Sequence, residues 1–184
     1  MSIIMLRGFS HSGKDFIGKI LCEKYGYNRY AFADSLKKLV ANEFNYPLEK
    51  LHTQEGKLEI CKTDILKRTY RQILIDEALR MRYIDAGVFA KYCCQDILDL
   101  ISIPDKIVIT DWRYPNEIEI VSKMFSTHRV IPVLIKRIGQ DKSPIQDKSE
   151  YQLIERTDDF IIQNNLDDSI YKEVDNLINY VLKR

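Results

Sequence analysis

The chain has 184 residues, 45% hydrophobic, 30% charged and 10% aromatic, with 7 Gly and 5 Pro, which is the composition of one globular domain with a real core. Lysine and arginine number 28 against 27 acidic residues, so no global field draws the chain to DNA, RNA or an anionic membrane, and any anion site must be built locally. No run approaches the ~20 apolar residues of a membrane helix and no leader pattern stands at the N-terminus; the expectation is a protein that starts at Met1 and works in the cytoplasm, with neither nucleic-acid polymer nor membrane as partner.

Ser2-Ile3-Ile4-Met5-Leu6-Arg7 is a short apolar run bounded by Gly8, as a strand buried on both faces requires. After Gly13, Phe16, Ile17, Ile20 and Leu21 recur at helical spacing until Gly26. Tyr30-Ala31-Phe32-Ala33 reads as a second strand, and a helix from about Ser35 buries Leu36, Leu39 and Val40. Residues 45–57 are polar and broken by Pro47 and Gly56; helices over 64–83 and 87–101 follow. Residues 106–111 form a third strand ending on Asp111, 128–136 a fourth and 159–163 a fifth. Between the last two, 139–150 carries a single apolar residue, Ile145, and reads as a mobile loop. The last helix, from residue 168 or 169, puts Ile170, Val174, Leu177, Ile178, Val181 and Leu182 on one face.

Strands alternating with helices predict an α/β fold with a five-stranded parallel sheet and helices on both faces. Such sheets bind ligands beyond the carboxyl ends of their strands, so the loops after Arg7, Ala33, Asp111 and Arg137 should converge on one cleft. Cys22, Cys61, Cys93 and Cys94 show no framework spacing and read as reduced thiols, and the scattered His11, His52 and His128 suggest no zinc cluster.

Gly8-Phe9-Ser10-His11-Ser12-Gly13-Lys14-Asp15 fits G-x-x-x-x-G-K-[ST] except at its last position, and it lies between the first strand and the first helix. Glycines there let backbone N–H groups turn inward onto phosphate oxygens, the helix adds its positive end, and Lys14 reaches the transferring phosphate. Gly8, Ser10, His11, Ser12, Gly13, Lys14, Asp15 and Phe16 are therefore the candidate ATP-binding residues, with the backbone of His11 mattering more than its ring. Asp15 stands where Ser or Thr would ligate Mg²⁺; it either holds the metal itself or caps the first helical turn.

Gly13-Lys14-Asp15, Phe32-Ala33-Asp34 with Leu36-Lys37, and Asp111-Trp112-Arg113-Tyr114-Pro115-Asn116-Glu117 resemble the phage-type and viral deoxynucleoside monophosphate kinases, and Ser149-Glu150 and 159–164 continue the likeness. The resemblance implies a single P-loop kinase domain over 1–184, with an acceptor-binding helical region over about 35–101 and a short lid over about 138–150. It implies ATP and Mg²⁺ as cofactors, a deoxynucleoside monophosphate as acceptor, a host cytoplasm for a viral protein, and leaves a homodimer open. Asp34, Lys37, Arg71, Arg82, Asp111, Arg113 and Glu150 become candidate substrate-binding residues. Ala78 and Phe16 stand where the family pattern has glycine and threonine. Animal phosphomevalonate kinases are similar in the loop, at Leu36-Lys37 and at Tyr70-Arg71 with Arg82, but lack the Pro-Asn-Glu continuation. Phosphorylation of a non-nucleotide phosphate is thus the second reading, and a non-catalytic nucleotide-binding protein the third.

Transfer of a phosphoryl group to another phosphate needs no general base, because the acceptor oxygen is already ionised; the protein must bring two polyanions together and neutralise them. Lys14, Arg113 and Arg137 are the candidate catalytic cations. Arg137 is preferred to its strand neighbour Lys136, which points to the other face, and Arg82 to Arg80, which diverges from it around the helix. Asp111 and Arg113 should point the same way at their strand end, a carboxylate for Mg²⁺ beside a guanidinium for phosphate, with Trp112 turned into the core.

Overall fold

The computed structural model describes residues 1–100, 102–144, 148–157 and 160–183. In chain order the elements are β1 (Ser2–Arg7), α1 (Lys14–Tyr25), β2 (Asn28–Tyr30), α2 (Ala33–Glu43), α3 (Gln54–Leu58), α4 (Tyr70–Ile84), α5 (Val88–Leu98), β3 (Lys106–Ile109), α6 (Pro115–Met124), β4 (Arg129–Arg137), β5 (Phe160–Asn164) and α7 (Ser169–Leu182), with short 3₁₀ turns at Leu48–His52 and Lys148–Tyr151. None of the described helices is long and apolar enough to cross a membrane. The chain divides into two compact units, Met1–Ala31 with Asp96–Arg184, and Phe32–Gln95.

The first unit is built on a five-stranded sheet in the order β2-β3-β1-β4-β5, with every pairing parallel. All six residues of β1 are buried, because it lies between β3 and β4 and is covered on both faces, which is why it reads as an unbroken apolar run. One face packs Ile4, Leu6, Val108, Val133 and Ile162 against Ile17, Ile20 and Leu21 of α1 and Ile170, Val174 and Leu177 of α7. The chain runs from β1 toward β2 on one side and from β4 toward β5 on the other. The switch of direction therefore falls between β1 and β4, where a parallel sheet opens a crevice at its carboxyl edge.

Several boundaries differ from the sequence reading. The second strand is Asn28–Tyr30, not 30–33. It is an edge strand beside β3 and can be polar, while Phe32 already has helical dihedrals and α2 starts at Ala33, two residues before Ser35. The helix expected from residue 64 begins at Tyr70. Asp64 takes the N–H of Arg68 at 2.9 Å and pairs its guanidinium at 2.6 Å, closing a turn that puts Lys67 at φ 55°, and a Thr69–Gln72 capping box then opens α4. The fourth strand runs one residue later at both ends than 128–136. α6 was not anticipated at all, and Leu182, expected on the buried face of α7, is exposed where that helix ends. The ends of the expected elements at Ile101 and Asp159, and Ile145 of the expected loop, lie outside the described residues.

The second unit is helical. Tyr46 stacks on Tyr70 with ring centroids 3.6 Å apart, and Leu36, Val40, Leu51 and Ile73 are buried with them.

Candidate phosphate-binding site

The loop between β1 and α1 folds back on itself with three residues at positive φ: Gly8 at 144°, His11 at 64° and Gly13 at 105°. A Cβ on Gly8 would sit 2.6 Å from the Ile135 carbonyl, and one on Gly13 would sit 2.4 Å from Asn164 Nδ2, so both positions need glycine for space as well as for backbone angle. Asn164 pins the loop from the end of β5 by donating to Ser12 O at 2.9 Å. Gly13 is the N-cap of α1 and no side chain caps that helix, so Asp15, exposed in the first turn, does not make the capping bond that was one of its two readings. The helix N-terminus is left open to an anion.

Lys14 folds over the loop and donates to Gly8 O and Phe9 O, each at 2.8 Å. Burial first, then the nearby Arg113 charge, brings its ammonium down to about 8, while Glu150, Asp15 and Asp111 pull the other way. Those causes place Lys14 within electrostatic reach of Arg113 and of three carboxylates. Asp15 and Asp111 supply the kind of oxygen donor that a hard cation would take. Among the described residues no three His, Cys, Asp or Glu side chains assemble a metal site by themselves.

Beyond β3 the chain turns sharply. Trp112 N donates to Leu6 O at 3.2 Å and its indole to Tyr114 O at 2.8 Å, and its side chain is buried, as expected. Glu117, also buried, accepts the N–H groups of Arg113 and Tyr114, each at 3.0 Å, and Pro115 opens α6. The Asp111-to-Glu117 block is thus partly a folding device that aims Arg113. From β4, Arg137 Nη1 donates to His11 O at 2.8 Å, and from just beyond it Gln140 Nε2 donates to Ser10 O at 2.7 Å.

Glu150 closes the arrangement. One oxygen pairs with Arg113 Nη1; the other accepts Ser10 N at 2.5 Å and Ser143 Oγ at 3.0 Å. Arg113 also donates to Ser149 Oγ at 3.1 Å. A cleft of about 440 Å³ runs here, lined among others by Phe9, Trp112, Arg113, Arg137, Gln140 and Glu150.

The structure therefore gathers Gly8, Ser10, His11, Ser12, Gly13, Lys14, Arg113, Arg137 and Glu150 around the loop. Phe16 lies on α1 with its ring edge-on to Tyr171 at 6.2 Å. Asp34, Lys37, Arg71 and Arg82 belong to the second unit. There Lys37 Nζ donates to Asp34 Oδ1 at 3.0 Å and approaches His52 Nδ1 at 3.3 Å. Arg71 donates to Gln54 Oε1, and Arg82 lies 4.8 Å over the Phe89 ring with a 3.3 Å bond to Ala86 O. Arg80 pairs with Glu77 at 2.6 Å as a surface charge, as expected.

Sequence reasoning missed Arg7, Gln140, Ser143 and His52. Arg7 is buried at the end of an apolar strand, itself a signal, and donates to Leu153 O at 2.8 Å and Arg156 O at 2.7 Å, fixing the segment that follows Glu150. The other three offered no local sign.

No family model and no curated protein matches the sequence. Among solved structures the chain is similar to a gluconokinase from Sinorhizobium meliloti 1021 (12% identity, TM-score 0.45, covering 98% of this chain and 95% of that one). It is also similar to a sugar kinase from Janibacter sp. HTCC2649 (13%, 0.43, 98% and 94%) and to the shikimate kinase of Bacteroides thetaiotaomicron (13%, 0.44, 100% and 99%).

Proposed function

We propose that the protein is a phosphotransferase that carries the γ-phosphoryl group of ATP to a deoxynucleoside monophosphate, releasing ADP and the diphosphate. The observation that carries this reading is the convergence of Lys14, Arg113 and Arg137 on a glycine-turned loop at the switch point of a parallel sheet. Backbone N–H groups and the open end of α1 hold the donor phosphates, and Lys14 stabilises charge on the moving group. Arg113 and Arg137 neutralise the two polyanions as they meet; Arg71 and Arg82, in the second unit, are ligands of the acceptor's phosphate by the family resemblance alone. Asp15 and Asp111 would hold Mg²⁺, which would supply positive charge to offset that of the phosphates. The deoxynucleotide acceptor rests on the resemblance carried by the Asp111-to-Glu117 block.

The test is ADP release measured across all common dNMPs, NMPs, a bare sugar phosphate and phosphomevalonate. The best dNMP should exceed the sugar phosphate in kcat/KM by about 10²-fold or more, because a nucleotide kinase must reward the base. Turnover of phosphomevalonate with every nucleotide inert would install the second reading, and no ADP release with any acceptor would leave a nucleotide-binding protein without catalysis.

Lys14 adds a pH signature. Its ammonium titrates near 8 in the free protein, and phosphate oxygens placed beside it raise that value. Nucleotide binding at pH 8.5 should therefore take up a proton, seen calorimetrically as a dependence of the binding heat on buffer ionisation enthalpy that shrinks as the pH is lowered to about 7.5, where the terminal phosphate is still almost fully ionised. The linked stability has a definite sign as well. Because the folded value lies below the ordinary 10.5, the group's cost to folding is full below about pH 8 and is relieved as pH rises toward 10.5.

A further inference from the structure

We infer that Glu150 is a built-in surrogate for a phosphate: in the free protein its carboxylate fills the anion position of the loop, and it is displaced when a polyphosphate binds. The inference rests on the reading of 8–15 as a phosphate loop.

Three observations carry it. The Glu150 side chain is 1% exposed although it belongs to a polar turn, so it is lodged in the protein rather than lying on it. Its partners are those a phosphate would use: a loop N–H, Ser10 N, which donates at 2.5 Å, and the guanidinium of Arg113. A further bond comes from Ser143 Oγ at 3.0 Å, on the same segment as Glu150, so that three donors among the described residues meet a single anionic group. Glu150 is also one of the charges that hold the Lys14 ammonium against its burial.

The physical logic is that of an occupied anion hole. Without a counter-anion, Ser10 N–H would lose its carboxylate acceptor and Arg113 would keep the Ser149 hydroxyl but lose its charged partner, and the loop would lose the geometry they enforce. A carboxylate supplies that partner with two oxygens and one charge. A triphosphate brings more oxygens and more charge to the same donors and wins the exchange, but its affinity is lowered by what the carboxylate gave up. Glu150 is then a competitor for the loop and not one of the substrate ligands implied by the family resemblance.

The exchange is tested with inorganic tripolyphosphate and with ATP, reading the fluorescence of Trp112, the one tryptophan of the chain, which lines the cleft. Glu150→Gln keeps the shape and removes the charge, and should lower the Kd for both ligands about 5- to 30-fold. Ser143→Ala removes only one donor to Glu150, loosens the surrogate, and should lower both Kd values about 2- to 5-fold; it covers the case in which Glu150→Gln does not fold. Unchanged or weaker binding in the folded variants would overturn the proposal and return Glu150 to the substrate side. If wild type and variants alike bind neither tripolyphosphate nor ATP, the phosphate-loop reading falls first and this inference with it.

Discussion

Lys14→Ala is expected to lower kcat by about 10²-fold or more with little change in thermal stability. The two halves of that expectation have separate causes. Lys14 is the cation nearest the start of α1, folded onto Gly8 O and Phe9 O where phosphate oxygens would lie in the proposed reaction, so its loss removes charge from the point where charge moves. Its burial, together with Arg113, already disfavours the ammonium, so the fold gains little from the group and should tolerate its removal. Steady-state kinetics and a melting curve on the same preparation separate the two. Near-normal turnover would defeat the kinase reading, and a collapse of stability with it would show that Lys14 serves the loop instead.

Gly8→Ala should be the most damaging single methyl in the first unit, costing about 3 kcal/mol and lowering Tm by roughly 6–12 °C. At φ 144° an L residue is strained, and its Cβ would meet a backbone oxygen, Ile135 O, at 2.6 Å, and Ser12 Oγ at 2.8 Å. Backbone in the middle of a paired strand cannot step aside. Gly26→Ala is the matched control: φ is 71°, but nothing stands within 4 Å of the added carbon, so only the conformational cost of about 1 kcal/mol remains. Comparable melting temperatures for the two variants would mean that the close approach of Gly8 to β4 is not a constraint.

What could be read from the sequence was whatever a short window contains. β1 announced itself because both its faces are buried, and the loop because its glycines and Lys14 are adjacent in the chain. β2 was displaced because an edge strand of Asn28, Arg29 and Tyr30 carries no apolar signal, whereas Ala31 and Phe32 beside it are buried without being strand. α6 was hidden because Ile118-Glu119-Ile120 alternates like a strand while its true markers, Pro115 and Glu117, had been absorbed into a motif. In the site, Lys14, Arg113 and Arg137 could be nominated from strand ends. The bonds from Gln140 to the Ser10 carbonyl and from Ser143 to Glu150 join groups that no periodicity connects, and the role of Glu150 as an acceptor for the loop exists only in three dimensions.

The place of β1 in the sheet also governs how the chain can fold. Ile3 leaves the ribosome before either of its partners, Ile107 on one side and Val130 on the other, so the central strand waits for β3 and β4. The helices of Phe32–Gln95 depend on neighbours close in sequence, as in the Asp64–Arg68 turn and the Thr69–Gln72 cap. Contacts of high sequence separation form slowly because loop closure precedes any reward. The sheet, and the phosphate loop that β1, β4 and β5 hold in shape, should therefore be the last part to mature, and a nascent chain ending before β4 should have helical content but no affinity for polyphosphate.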